Sequence, residues 1–434
     1  MKKKNKLLII VLLLIITEIA YLLLYSKLSE PIILFAVISL FNSLIFILIW
    51  LILRKIEFRI WILNIIIIFG AVYRISLLPL QPIASDDIYR YIWDGKVSAN
   101  GLNPFKYTPL DSALLPIRSS FLLSKMNHPE LQTIYPPYSQ LMFFLGYEIF
   151  GENIYGIKIL LFISEIISVF LLFLLLKRLK IHLYNLALYV LCPLPIMQFM
   201  IDGHIDGTGF PLLLLFLFLY FKGRKIKSFF ALGFSIISKF ISGLVLPFTF
   251  KEVKGKYKIY VFIIPFLIFI ISYIPFFNGG VFPFKSLIEF SENWISNSSI
   301  FAVIFGIVNN NQDARKIALV LFIIAAGILF YSKLEFREKI FLIFFLFFLF
   351  SPTVHPWYIT WLAVLLPVGF RWSGLAFITL VNIANILLIN YVLNGIWIIF
   401  SWVQLIEYVP IISIFIWEIL RGNKKQADLT YPSG

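Results

Sequence analysis

Apolar runs of membrane-crossing length recur along this chain, from "LLIIVLLLIITEIAYLLLY" near its start to "IFLIFFLFFLF" late in it. A run of about 20 apolar residues spans the hydrocarbon of a bilayer as a helix, which satisfies its own backbone hydrogen bonds. The alternating pattern of a barrel strand is missing. The periodicity predicts an all-α polytopic membrane protein with spans near 7–25, 31–53, 60–80, 157–176, 183–201, 208–222, 257–277, 314–332, 339–352, 357–370, 374–393 and 397–420. These about twelve crossings form one integral membrane unit over 1–434 and return the C-terminus to the side of the N-terminus.

Composition agrees: 61% of the residues are hydrophobic and 14% charged. The formal charge of +15 points to nucleic acid only until its distribution is considered. Lysines and arginines sit in short clusters between spans, at Lys2–Lys6, Arg54–Arg59, Lys177–Lys180, Lys222–Lys227, Lys251–Lys258, Lys333–Lys339 and Arg421–Lys425. That is the positive-inside pattern, which orients a membrane protein and implies no acidic partner. It places both termini in the cytoplasm, with a tail over 421–434. "MKKKNK" and the run behind it read as an uncleaved first span. Cys192 is the only cysteine, so no intrachain disulfide can form.

One apolar stretch, 228–250, has basic clusters on both sides and Lys239 in its middle. A plain crossing would put one cluster outside, so the expectation is a re-entrant hairpin with both ends inside. Two long outer loops remain, 81–156 and 278–313. The first is too long to be structureless and should hold interfacial helices.

The outer loops concentrate the chemistry. In "SDDIYRYIWDGKVSANGLNPFKYTP", Ser85 is a good N-cap and Asp86 and Asp87 follow it, where the helix dipole favours negative charge. A helix to about Asn100 brings Asp87, Arg90, Tyr91 and Asp94 onto one face, with Asp86 close by. Paired carboxylates beside an arginine suit general-base chemistry with a phosphate clamp, or a salt-bridged surface helix. "DGHIDG" alternates Asp202, His204 and Asp206 as metal ligands, a substrate grip or a solvated turn. "SPTVHPWYITW" carries His355, Trp357 and Tyr358 in a proline-shaped turn or an aromatic belt. "FSENWISNSSIF" offers Asn293, Trp294 and Asn297 to a sugar, or anchors the loop at the interface. Arg74, one helical stretch deeper, would pair with a lipid phosphate, an aspartate or Glu165. No P-loop or dinucleotide fingerprint occurs.

The first of these stretches resembles the first outer loop of bacterial GT-C-type membrane glycosyltransferases, which use polyprenyl-phosphate sugars and include a mannosyltransferase-like group. "GHIDG" is similar to a later motif of that group and "SPTVHPWYITWLAVLLP" to its proline–tryptophan–tyrosine motif; the similarity runs from about residue 70 to 370. The resemblance implies a GT-C-like bundle with its site on the outer face of the plasma membrane. It implies inverting transfer of a mannose-like hexose from a polyprenyl-phosphate donor to a glycan, lipid or protein hydroxyl. It makes Asp87 the general base with Asp86 the close alternative, offers Arg90, Arg74 and Lys239 to the leaving phosphate, and places His204 and His355 beside the sugar or phosphate. No cofactor or metal is implied. A transporter or flippase of a lipid-linked sugar is the alternative reading, since intramembrane Arg74, Lys239 and Glu165 would suit one.

Overall fold

The computed structural model describes residues 3–277 and 280–421; the predicted tail beyond Arg421 lies outside the described residues. Among the described residues the architecture is helical, and its only β-type pairing is an isolated bridge between Ser296 and Thr353. Among the described residues, eight helices are long and apolar enough to cross a membrane: Asn5–Tyr25, Pro31–Leu53, Ile60–Leu77, Tyr155–Arg178, Tyr257–Phe276, Asn311–Tyr331, Trp372–Asn394 and Ser401–Arg421. They coincide with eight of the expected spans.

The other four expected spans do not form full-length helices. The 183–201 span is Leu183–Val190 and Pro193–Met200, bent by 42°. Pro193 lacks the N–H that would continue the first helix. The 208–222, 339–352 and 357–370 segments form the shorter helices Phe210–Phe221, Phe336–Phe350 and Pro356–Leu365. These helices are rich in apolar residues but fall short of the length of about 20 residues that a straight crossing takes.

The stretch 228–250 breaks at Lys239. The helix Lys225–Ser238 packs between Phe210–Phe221 and Tyr257–Tyr273. After Lys239 the chain continues as the 3-10 turn Phe240–Leu244 and the helix Val245–Glu252. Glu252 returns to within electrostatic reach of Lys225, so the stretch begins and ends at the same end of the bundle. Other basic groups gather there: Lys6 donates to the Lys55 carbonyl, and Lys251 lies over the Phe330 ring.

Loop 81–156 folds against the opposite end. Its acidic helix runs Asp87–Ala99, one residue later than a Ser85 N-cap would start it. Asp86 occupies the N-cap position, and the Ser85 hydroxyl accepts from the Asp87 N–H at 3.3 Å. The helix packs along Pro137–Phe150, where Gly95 lies so close to the Phe143 carbonyl that a Cβ would approach it to 2.3 Å. The second outer loop forms helices Lys285–Asn293 and Ile300–Val308, and Asn297 ties it to Glu407 of the last long helix at 3.0 Å.

Arg74 is settled by packing. Its Nε and Nη2 donate to Glu165 Oε2 at 3.0 and 2.8 Å, and its Nη1 donates to the carbonyls of Gly70 and Val190. Tyr189 donates to the other Glu165 oxygen. A guanidinium committed in this way, 4% exposed, is a brace between three helices and does not reach the site. Of the partners that the sequence offered it, Arg74 takes Glu165. Glu165→Gln is expected to cost about 3–5 kcal/mol, read as a lowered thermal midpoint in detergent, because it strands a buried cation. The double change Arg74→Met with Glu165→Leu should cost less than either single change.

Candidate functional site

The loop from Leu78 to Asp87 is short of backbone partners, and two buried charges supply them. The ammonium of Lys158, 0% exposed, donates to the carbonyls of Leu78 and Leu80. One oxygen of Asp202, also 0% exposed, accepts from the N–H groups of Ile83 and Ala84, both at 2.9 Å. Gly203, at φ 72°, then turns the chain so tightly against Ile88 that a side chain there would collide with it. The loop bearing Asp86 and Asp87 is thus fastened to the turn bearing His204 and Asp206.

The two acids diverge. Asp86 accepts from Asn127 Nδ2 at 2.6 Å and from the Tyr391 hydroxyl at 3.1 Å. Asp87 accepts from the same Asn127 nitrogen at 3.0 Å and, more weakly, from Tyr91 at 3.4 Å. Burial raises the Asp86 carboxyl above the usual range. Burial and the neighbouring Asp86 charge push Asp87 up to about 6, against the opposing effect of the Asn127 hydrogen bond. A carboxylate in that position is deprotonated at neutral pH yet a far better base than an ordinary aspartate.

His204 lies 3.6 Å from Asp87, beyond hydrogen-bond distance. Its burial and the Lys239 charge hold its pKa well below the usual histidine value, so the contact is no ion pair. The His204 ring stacks on Trp357 at 3.9 Å, and Trp357 stacks on His355 at 4.3 Å, with the planes 12° and 1° apart. His355 is likewise pushed down to about 3 by burial and by Lys239. The three rings form a neutral, flat wall. Asp206 accepts from Lys239 Nζ at 2.5 Å and from the Trp361 indole at 2.9 Å. The three polar residues of "DGHIDG" therefore serve three different partners: a backbone loop, an aromatic stack and a lysine.

These groups surround two adjoining hollows. The first, about 460 Å³, is lined by Asp86, Asp87, Asn127, Trp294, His355, Trp357, Tyr391 and Trp397 among others. The second, about 550 Å³, is an apolar groove lined by Phe240, Phe322, Phe347 and Phe350, with Lys239 and Tyr358 also in its wall. Phe290 and Tyr358 line both. Lys239 lies 4.3 Å over the ring of Tyr358, one of the two shared residues. Arg315, which also lines the groove, is occupied by the Ser291 and Trp294 carbonyls and by Asn311.

Of the residues singled out in the sequence, Asp86, Asp87, His204, Asp206, His355, Trp357, Tyr358 and Lys239 converge on this junction. Four others do not serve as expected. Arg90 reaches the cavity wall but pairs with Asp94 at 2.9 Å, and Asp94 in turn meets Gln140. Tyr91 is buried in a stack with Phe143 at 4.7 Å. Both the Arg90–Asp94 pair and Tyr91 are braces of the acidic helix. Asn293 is exposed and donates to the Glu289 carbonyl of its own helix, while its neighbour Trp294 faces the cavity. Missing from the sequence reading are Asn127, Tyr391 and Trp397. No spacing rule joins positions 87, 127 and 391, so nothing local marks them.

This is the site of a multi-pass membrane protein, and comparison gives its family. Residues 17–253, over half of the chain, match the model of the alpha-(1→6)-mannopyranosyltransferase family, N-terminal domain, and the chain belongs to that family. Comparison with curated proteins returns no match. Among solved structures the chain is similar to ArnT from Cupriavidus metallidurans bound to undecaprenyl phosphate. The identity is 13% and the TM-score 0.45, over 83% of this chain and 73% of that one.

The Asp202 clamp has a direct readout. Asp202→Leu removes the acceptor for two N–H groups, so hydrogen exchange of peptides covering 81–87 should accelerate about tenfold or more. Asp202→Asn, which keeps an acceptor oxygen, should exchange near the wild-type rate.

Proposed function

We propose that this membrane glycosyltransferase moves a mannose-like hexose from a polyprenyl-phosphate carrier to an acceptor hydroxyl on the outer face of the membrane. The observation that carries this reading is the junction itself. An apolar groove of about 550 Å³, lined in part by Lys239, shares Phe290 and Tyr358 with a polar, aromatic cavity holding a raised carboxylate. The charge pattern of the loops supports the outward orientation.

On this reading the carrier's isoprenoid chain lies along the phenylalanine-lined groove with its phosphate at Lys239. The sugar enters the 460 Å³ cavity between Asp87 and the Trp357 wall. Asp87 takes the proton of the acceptor hydroxyl as that oxygen bonds to the anomeric carbon. The bond from the anomeric carbon to the phosphate oxygen breaks, and its electron pair leaves with the polyprenyl phosphate. Lys239 offsets the charge that develops on the phosphate. Displacement in one step inverts the anomeric configuration. Asp87 is the better base of the pair because Asp86 is held by two strong donors, Asn127 and Tyr391.

Transfer from a polyprenyl-phosphate hexose in proteoliposomes tests the assignment. Asp87→Asn should lower kcat by about 10²–10⁴-fold, the usual contribution of a general base. Asp86→Asn should lose less. Full transfer by the Asp87 variant would rule out the role given to it. In the wild type, protonation of Asp87 removes the base, so kcat/KM should be level above about pH 7 and fall as pH drops through about 6. Lys239→Met removes a charge-assisted contact worth about 1.5–3 kcal/mol, so kcat/KM for the donor should drop by roughly 10–100-fold.

A further inference from the structure

Two adjacent carboxylates in one buried site repel, and unless a donor stands between them one tends to hold its proton. Here a single amide nitrogen stands between them. Asn127 Nδ2 carries two hydrogens and meets two acceptors, Asp86 Oδ1 at 2.6 Å and Asp87 Oδ1 at 3.0 Å. The side-chain amide is the group suited to this, since it offers two donors and no net charge.

The loop that delivers Asn127 is itself held by the acidic helix. His128 follows Asn127 with φ at 45°, and its carbonyl accepts from Arg90 Nη1 at 3.4 Å. The His128 ring packs edge-on against Trp294 at 5.0 Å, and its Nδ1 contacts Glu130 at 3.1 Å. Arg90, fixed by Asp94, thus reaches past the acids to the loop that holds them. This gives the arginine of the acidic stretch a physical role other than gripping phosphate.

We propose that Asn127 is the positioning residue of this site, forking one amide onto both carboxylates so that Asp87 stays free of its proton and aimed into the cavity. The inference rests on the reading of Asp87 as the base. The other groups acting on Asp87 are fixed by their own partners. Asp86, on the same loop, is bonded to Tyr391, and Asp206 and Lys239 are bonded to each other. Asp202 is engaged with the loop backbone and His204 is neutral. Tyr91, Tyr135 and Tyr358 remain protonated across the working range, their hydroxyls pushed up by burial. Asn127 is therefore the contact whose removal changes Asp87 without unmaking another ion pair.

The sign follows from the hydrogen bond. Asn127 lowers the proton affinity of Asp87, so its loss raises that affinity and moves the acid limb of kcat/KM to higher pH. In proteoliposomes, Asn127→Ala should reduce kcat about 10–100-fold, leave the donor KM within about twofold, and shift the limb upward by about half a unit or more. Asn127→Ser keeps one donor and should recover part of both effects; it also serves as the measured variant if the alanine protein does not fold. An unmoved limb in these variants, with or without a loss of rate, overturns the proposal. So does a kcat within twofold of wild type. Asp87→Asn, assayed alongside, separates the two claims. If it is inactive while Asn127→Ala has an unmoved limb, the base stands and the positioning role falls. If it remains active, the base assignment falls, and this inference with it.

Discussion

The segment from Leu78 to Asp87 hangs between two buried charges. Lys158 takes its carbonyls and Asp202 its N–H groups. Backbone without a helix partner is costly in an apolar interior, and a charged side chain there is costly without a partner. Each requirement meets the other here. The loop can be irregular because the charges satisfy it, and the charges can be buried because the loop satisfies them. Everything at the site is referenced to this joint: the acids leave it in one direction and the His204–Asp206 turn in the other.

The same logic of mutual compensation sorts the buried charges into two kinds. Arg74 with Glu165 is a closed set, with partners at hydrogen-bond distance and no place among the residues that line either hollow. Arg90 is paired with Asp94 but also reaches the wall of the first cavity. Asp87 and Lys239 are open sets. Asp87 has one good donor and one weak one, and the Lys239 side chain is 31% exposed although it is bonded to Asp206. A buried charge that is left partly uncompensated stores the capacity to bind something else. That distinction, rather than depth in the membrane, separates site from scaffold in this molecule.

The aromatic wall has a comparable economy. His204, Trp357 and His355 come from two distant stretches and stack as one slab. Burial keeps both imidazoles neutral, so the slab presents flat apolar faces beside two acids and adds no competing charge. Such a surface suits a sugar ring, whose C–H faces prefer an aromatic plane and whose hydroxyls need polar partners at the edge.

The hydrophobic pattern by itself determined that the chain is helical and membrane-spanning, because a span's length and apolarity are local properties of about 20 residues. It also marked the acidic helix, the "DGHIDG" turn and the "HPWY" turn as one chemistry, since capping, helical spacing and the charge rule are local too. It did not foresee that the helices at 210–221, 336–350 and 356–365 would be so short, because their ends are set by the contacts they make. Tertiary structure alone decided which charges were spent on one another. Arg74 and Glu165 are 91 residues apart, and Asp86 and Tyr391 are 305 apart. No sequence spacing encodes such partners; they meet only once the bundle has packed. The packing committed Arg74 to Glu165 and brought in Asn127, whose single amide holds the two aspartates that the sequence placed side by side.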